Sequence, residues 1–265
     1  MNVNGNGSRG PASPRWKVQV LVPGLPLQSC SVLLTGPKSE HVVVDTGFPQ
    51  HDSILLEGLK RAGVAAEEVA GVINTHFHLD HCGSNFLFPR AWVYGSKVDF
   101  DWAMRIYDSV CGGETRREVF RTFYPEATEE EFDRMDDARV LQLLQWMWDP
   151  ASLGAMERYR WHEQQELGLP GLRAIATPGH TPGHLSVEVD GIEGPYLIVG
   201  DARPFGDDGA AGYDMPPHNH AEFQRSREWI DRFEGILIPG HDAPFSQSHP
   251  AANPEDEASP VSQRQ

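Results

Sequence analysis

Cysteine is scarce in this chain of 265 residues: Cys30, Cys82 and Cys111 are the whole set, with no CxxC pair among them. So small and odd a set excludes a disulfide framework, points to a reducing compartment, and reads as three small buried hydrophobes. Long apolar runs are missing as well. No stretch approaches the ~20 residues of a bilayer-spanning helix, and the opening MNVNGNGSRGPASP lacks the apolar centre of a secretion signal. A cytoplasmic location and no membrane partner are therefore expected. Positive charge is also short: 22 Lys plus Arg stand against 38 Asp plus Glu, a net −16 with histidines neutral. A phosphate backbone would meet repulsion, which disfavours nucleic acid as a partner. The basic clusters, Arg116-Arg117 with Arg121 and Arg225 with Arg227, lie at helical spacing among acidic residues and read as solvated faces.

What is present suffices for a large core: 39% hydrophobic residues and seven Trp. The Gly/Asn/Ser/Pro-rich residues 1–14 read as a disordered leader and 246–265 as a flexible tail, leaving one domain over 15–245. Short β-rich runs separated by Pro/Gly turns, Trp16 to Val22, Cys30 to Thr35 and His41 to Asp45, predict an antiparallel meander. Asp52 to Ala62 predicts a helix with Gly63 as its stop, and Val69 to Asn74 a buried strand. From about 97 to 169 strand signals give way to amphipathic, aromatic helical pattern, including a capping box at Thr128 and apolar positions from Phe132 to Met147. This reads as a helical insertion, its Met and Trp residues core and, less favoured, a lid. Strands resume at Leu172 to Ala176, Leu185 to Val189 and Tyr196 to Val199. A helix from about Ala221 to Phe233 precedes a last strand, Gly235 to Ile238. Strands followed by helix occur twice, which suits an α/β fold of two halves packed sheet against sheet.

Histidine is concentrated where the chemistry would be. Thr75 to His81 reads THFHLDH, three imidazoles and a carboxylate in one strand-to-helix turn. Groups that repel when charged and need partners when buried are gathered this way to divide ligands between two metal ions. Four further turns put metal-capable side chains at the ends of apolar runs: VDTG with Asp45, TPGH with His180, VGD with Asp201 and IPGH with His241. Gly or Pro at each lets the backbone bend sharply along a sheet edge.

VDTG, THFHLDH, TPGHTPGH, GD and PGH, in this order, resemble the metallo-β-lactamase superfamily over roughly Val18 to Phe245 apart from the helical insertion. Within it, TPGHTPGHLSV and the closing GHD resemble the quorum-signal lactonases. DHCGSNFLFPRAWV and RSREWIDRFEGILIPGHDAPF resemble the metallo-β-lactamase domain-containing proteins, whose members include proposed nucleases. The resemblance implies a four-layer αβ/βα sandwich with metals at one edge of two sheets. It assigns His76, His78 and His180 to one metal, Asp80, His81 and His241 to the other, and Asp201 to both. Zinc suits such a set, and iron or manganese would also be accepted. Asp45 is implied as the carboxylate orienting an imidazole, and His184 as a structural hydrogen-bonding histidine.

The implied reaction is attack by a metal-bridged hydroxide on a small-molecule ester, lactone or thioester, with Asp80 ligating and also accepting a hydrogen bond from the nucleophile. One departure stands out. Lactonases carry a tyrosine three residues after the bridging aspartate, where this chain has Pro204, so a proton donor is sought elsewhere: Tyr213, His218 and His220. Two alternatives remain open, a phosphodiester-cleaving nuclease and a non-catalytic binding module of the same fold. The first needs a basic groove that the sequence does not display, and the second would be expected to have lost ligands.

Overall fold

The computed structural model describes residues 15–26, 28–130, 156–206 and 216–248. The readings of the leader, of the tail beyond 248, of Tyr213 and of the apolar pattern from Phe132 to Met147 lie outside them.

Six strands form the first sheet, in spatial order as in sequence: β1 (Lys17–Val22), β2 (Ser31–Thr35), β3 (His41–Val44), β4 (Val69–Ile73), β5 (Trp92–Gly95) and β6 (Tyr159–Trp161). The first three are the expected antiparallel meander, while β3 through β6 run parallel. The second sheet has the order β11-β10-β9-β8-β7, from β7 (Leu172–Ala176), β8 (Leu185–Gly191), β9 (Gly194–Gly200), β10 (Gly235–Pro239) and β11 (Phe245–Gln247). Here β9 and β10 are parallel and the other pairs antiparallel.

Period-two alternation decides which side chains go where. In β2 and β3, Val32, Leu34, Val42 and Val44 enter a core between the sheets, with Trp16, Val187 and Ile198 opposite. Their neighbours Leu33 and Val43 point the other way, into a core shared with helices α1 (Asp52–Ala62), α2 (Leu79–Cys82), α3 (Lys97–Cys111) and α4 (Arg116–Phe123). On the far face of the second sheet, Leu197, Val199 and Leu237 meet Ile230 of α5 (His220–Ile230). Helices, sheet, sheet and helix are thus the four layers expected. Each fully buried Val or Leu contributes ~1.5–3 kcal/mol, so the stacking is strongly driven.

Helix α1 spans the bounds read from sequence, and Gly63 ends it in the left-handed region at φ 75°, its N–H reaching the carbonyls of Leu59 and Lys60. Other bounds differ. Segment 97–169 is not free of strand, because Tyr159–Trp161 pairs with β5 as β6. Its described helices pack into the core, as favoured from sequence: Trp102, Ile106, Val110, Phe120 and Phe123 share it with Val72 and Val93. Pairing of β11 continues to Gln247, past the expected end at Phe245. Cys30 and Cys82 are buried as expected, but Cys111 is exposed, since it falls on the outer side of the last turn of α3. Arg117 and Arg121 both pair with Glu129 on an exposed face, in keeping with a solvated surface. No described helix is long and apolar enough to cross a membrane.

Candidate metal centre

The strands that carry the singled-out turns all point their C-terminal ends to one edge. Asp45 follows β3, Thr75 to His81 follow β4, His180 follows β7, Asp201 follows β9 and His241 follows β10. There the seven side chains form two groups. His76, His78, His180 and Asp201 make one, Asp80, His81 and His241 the other, and within each the ligand-capable atoms lie within 4.8 Å of one another.

Asp201 joins the groups. Its Oδ2 lies 3.4 Å from His180 Nε2 and 3.9 Å from His76 Nε2. Its Oδ1 lies 3.3 Å from His81 Nε2 and 3.4 Å from His241 Nε2. Asp80 Oδ2 is 3.3 Å from His241 Nε2 and 3.7 Å from His81 Nε2. His78 Nδ1 and His180 Nε2 approach to 3.1 Å. His76 Nε2 and His81 Nε2 are buried with no hydrogen-bond partner. A buried ring nitrogen left this way is costly in protein alone and is satisfied by a cation. The donor set, imidazoles and carboxylates in two groups sharing one carboxylate, fits a pair of divalent metals.

The opposite nitrogen of several rings is fixed by the chain. His81 Nδ1 lies 2.8 Å from Asp45 Oδ2. Asp45 also accepts from Thr75 N at 2.8 Å and from Thr75 Oγ1 at 2.7 Å, and that hydroxyl lies 3.1 Å from His76 Nδ1. One buried carboxylate therefore orients His81 directly and His76 through Thr75, as such partners do for metal-binding imidazoles. His241 Nδ1 donates to the Leu25 carbonyl at 3.1 Å. His184 stands outside both groups: its Nε2 accepts from Asp201 N at 3.1 Å and its Nδ1 meets Thr177 Oγ1 at 2.9 Å. Burial lowers it to about 3, the neutral state that accepting an N–H requires.

Of the expected proton donors, His218 and His220 lie outside the two groups. His218 Nδ1 donates to the Phe123 carbonyl at 2.8 Å, and His220 is an exposed partner of Glu126 at 3.1 Å. The Pro204 carbonyl accepts from His241 N at 2.7 Å.

Two residues escaped the sequence reading. Tyr124, past the end of α4, has its hydroxyl 3.0 Å from His78 Nε2. Asp99, fully buried in the first turn of α3, accepts from Phe77 N at 2.7 Å and from Gly183 N at 3.0 Å. Those two amides belong to the loops that carry His76/His78 and His180/His184, so one carboxylate ties a loop of each sheet together. Burial raises it to about 6. From sequence, an aspartate three residues after Ser96 reads only as a solvated helix start. Replacement by alanine would orphan both amides at ~1–3 kcal/mol each. Asp99→Ala is expected to weaken divalent-metal uptake by loosening both loops and to lower the melting temperature by several degrees. Chelator competition and thermal melting check this.

The sequence profile of the metallo-beta-lactamase superfamily matches residues 24–241. The chain belongs to this superfamily. Among curated relatives, metallo-beta-lactamase domain-containing protein 1 of Rattus norvegicus is 31% identical over 206 residues, covering 77% of this chain and 62% of that protein. The chain thus spans under two thirds of that relative's length. The N-acyl homoserine lactonase of Bacillus thuringiensis is 24% identical over 235 residues, 76% of each. Among solved structures, a quorum-quenching N-acyl homoserine lactone hydrolase superposes with a TM-score of 0.57 at 18% identity, covering 86% of this chain and 93% of that one. At that identity the superposition speaks for the metallo-beta-lactamase fold alone.

Proposed function

We propose that the chain is a dinuclear hydrolase, zinc being the metal that suits the donors best, acting on a small ester, lactone or thioester. The single observation that carries this reading is the division of Asp201, one oxygen toward His76 and His180 and the other toward His81 and His241. His76, His78, His180 and Asp201 would hold one cation, and Asp80, His81, His241 and Asp201 the other. When bound, two such cations supply a water acidic enough to ionise near neutral pH and a Lewis acid for the substrate carbonyl.

The protein's own part is to place and keep the charges. Asp80 is one-fifth exposed where its companions His81 and His241 are almost wholly buried, so it is the member of its group that meets an incoming water. Burial pushes its carboxyl up, the charges of His81 and His241 outweigh that, and it falls to about 2. At neutral pH it is an acceptor, able to take a hydrogen bond from the attacking water as well as to ligate. Asp45 and His184 hold rings and backbone in register without facing the reactants.

The net charge of −16 works against a polyanionic substrate, which favours the carbonyl reading over a nuclease. Retention of all seven candidate ligands favours a catalyst over a binding module. A panel of lactones, thioesters, β-lactams and single-stranded RNA, assayed with and without chelator, tests the proposal. Chelator-sensitive turnover of a lactone or thioester is the expected result. Cleavage of RNA alone would move the assignment to the nuclease, and no chelator-sensitive turnover of any of them would count against catalysis of this kind.

A further inference from the structure

We infer that Tyr124, carried by the helical segment outside the two sheets, sets the ring of His78 and thereby the retention of one of the two cations. The inference rests on the metal reading proposed above.

His78 is the most exposed of the three rings in its group. His76 and His180 are each 1% exposed and walled in by protein, whereas His78 is only half-buried. It sits at the start of α2 in extended backbone, with φ −71° and ψ 148°, so the helix does not restrain its side chain. Backbone geometry alone does not decide which of its two nitrogens faces the metal group. Fixing one tautomer and one rotamer requires a partner on the face away from the metal group.

Tyr124 supplies that partner. With the Nε2–H of His78 donating to the Tyr124 hydroxyl oxygen 3.0 Å away, the proton is held on Nε2. Nδ1 then keeps its lone pair, and it faces the same point as His180 Nε2, 3.1 Å off. Tyr124 is itself immobilised, 3% exposed, stacked on Phe120 at 4.9 Å and edge-on to Trp102 at 5.5 Å. Trp102 in turn lies 5.8 Å from the His78 ring.

The same corner reaches the second histidine of the group. The Phe123 carbonyl accepts from His218 Nδ1 at 2.8 Å, and the His218 amide donates to the His180 carbonyl at 3.1 Å. The end of α4 is therefore fastened to both His78 and His180. These contacts of the end of α4 run to two members of the His76, His78, His180 group, so the effect is assigned to the cation that group would hold. Tyr124 acts through His78 and is a positioning residue, not a catalytic one.

Tyr124→Phe keeps the ring and its stacking and removes the hydroxyl. Zinc uptake by the full chain, followed by competition with a graded chelator, is the measurement. Wild type is expected to hold two equivalents. In the variant one equivalent should weaken ~10–100-fold while the other is unchanged, with the metal-free proteins melting within ~4 °C of each other. In 15N-histidine-labelled protein the Nε2 proton of His78 should exchange faster in the variant. Two unchanged equivalents in Tyr124→Phe would overturn this inference and leave the metal reading standing. Equal weakening of both equivalents would overturn it too, since that marks general loosening. A wild type that takes up no zinc overturns both.

Discussion

Asp201→Ala is expected to strip the protein of both cations and to bring hydrolysis down to the rate of buffer. Four histidine nitrogens lie 3.3–3.9 Å from its two oxygens, so removing the carboxylate takes a donor from each group at once. No neighbouring carboxylate replaces it: Asp80 lies on the side of His81 and His241, and Asp45 is engaged with Thr75 and His81. The fold should survive. The Asp201 amide keeps His184 as acceptor, and Val199 and Leu237 hold β9 and β10 against α5 irrespective of the side chain. Metal analysis of the purified variant beside wild type, with circular dichroism to verify folding, reads the outcome. Two retained equivalents, or turnover at the wild-type rate, would sink the assignment of Asp201 as the shared ligand.

Metal removal should have an effect of the same size, with a proton signature on reversal. A strong chelator is expected to abolish turnover, and zinc to restore it while releasing protons at pH 7. Burial alone would push His241 toward neutrality, but Asp201 and Asp80 beside it prevail and raise it to about 10. The metal-free ring is thus protonated at neutral pH and must give up that proton to ligate. Because the folded value lies above the unfolded one, the stabilisation from charged His241 is fully present below ~6.5 and lost as pH rises through ~10. Metal-free protein should therefore melt at progressively lower temperature across that window, while zinc binds more tightly. Calorimetric zinc titrations in two buffers of different ionisation enthalpy give the proton count. Identical apparent enthalpies in both would contradict it.

The elements that sequence exposes are those whose cause is local. Helix α1 could be bounded because its apolar spacing and Gly63 stop are written in adjacent residues, and THFHLDH could be read because ligands of one turn sit within seven positions. The convergence of β4, β7, β9 and β10 at one edge was legible through the repeated strand-then-Gly/Pro pattern together with the family resemblance of those motifs. Contacts made across the fold left no such trace. Tyr124 and Asp99 lie on helical segments where a tyrosine or aspartate is unremarkable, and their partners His78 and Phe77/Gly183 stand far off in sequence. The three residues of β6 are too few for a period to register, and the exposed position of Cys111 depends on how the last turn of α3 faces its neighbours. His218 and His220 were singled out by residue type and by their place on a loop, and their Nδ1 atoms meet the Phe123 carbonyl and Glu126.

The meeting of β9 and β10 limits how this chain can be re-engineered. Gly240 donates to the Gly200 carbonyl at 3.0 Å, and a methyl group at 240 would stand 2.0 Å from Asp201 Oδ1. Gly200 is itself in the left-handed region at φ 48°, with Thr75 Oγ1 only 2.7 Å from where its own Cβ would be. Directed evolution toward a new substrate should find these two positions frozen whatever selection is applied.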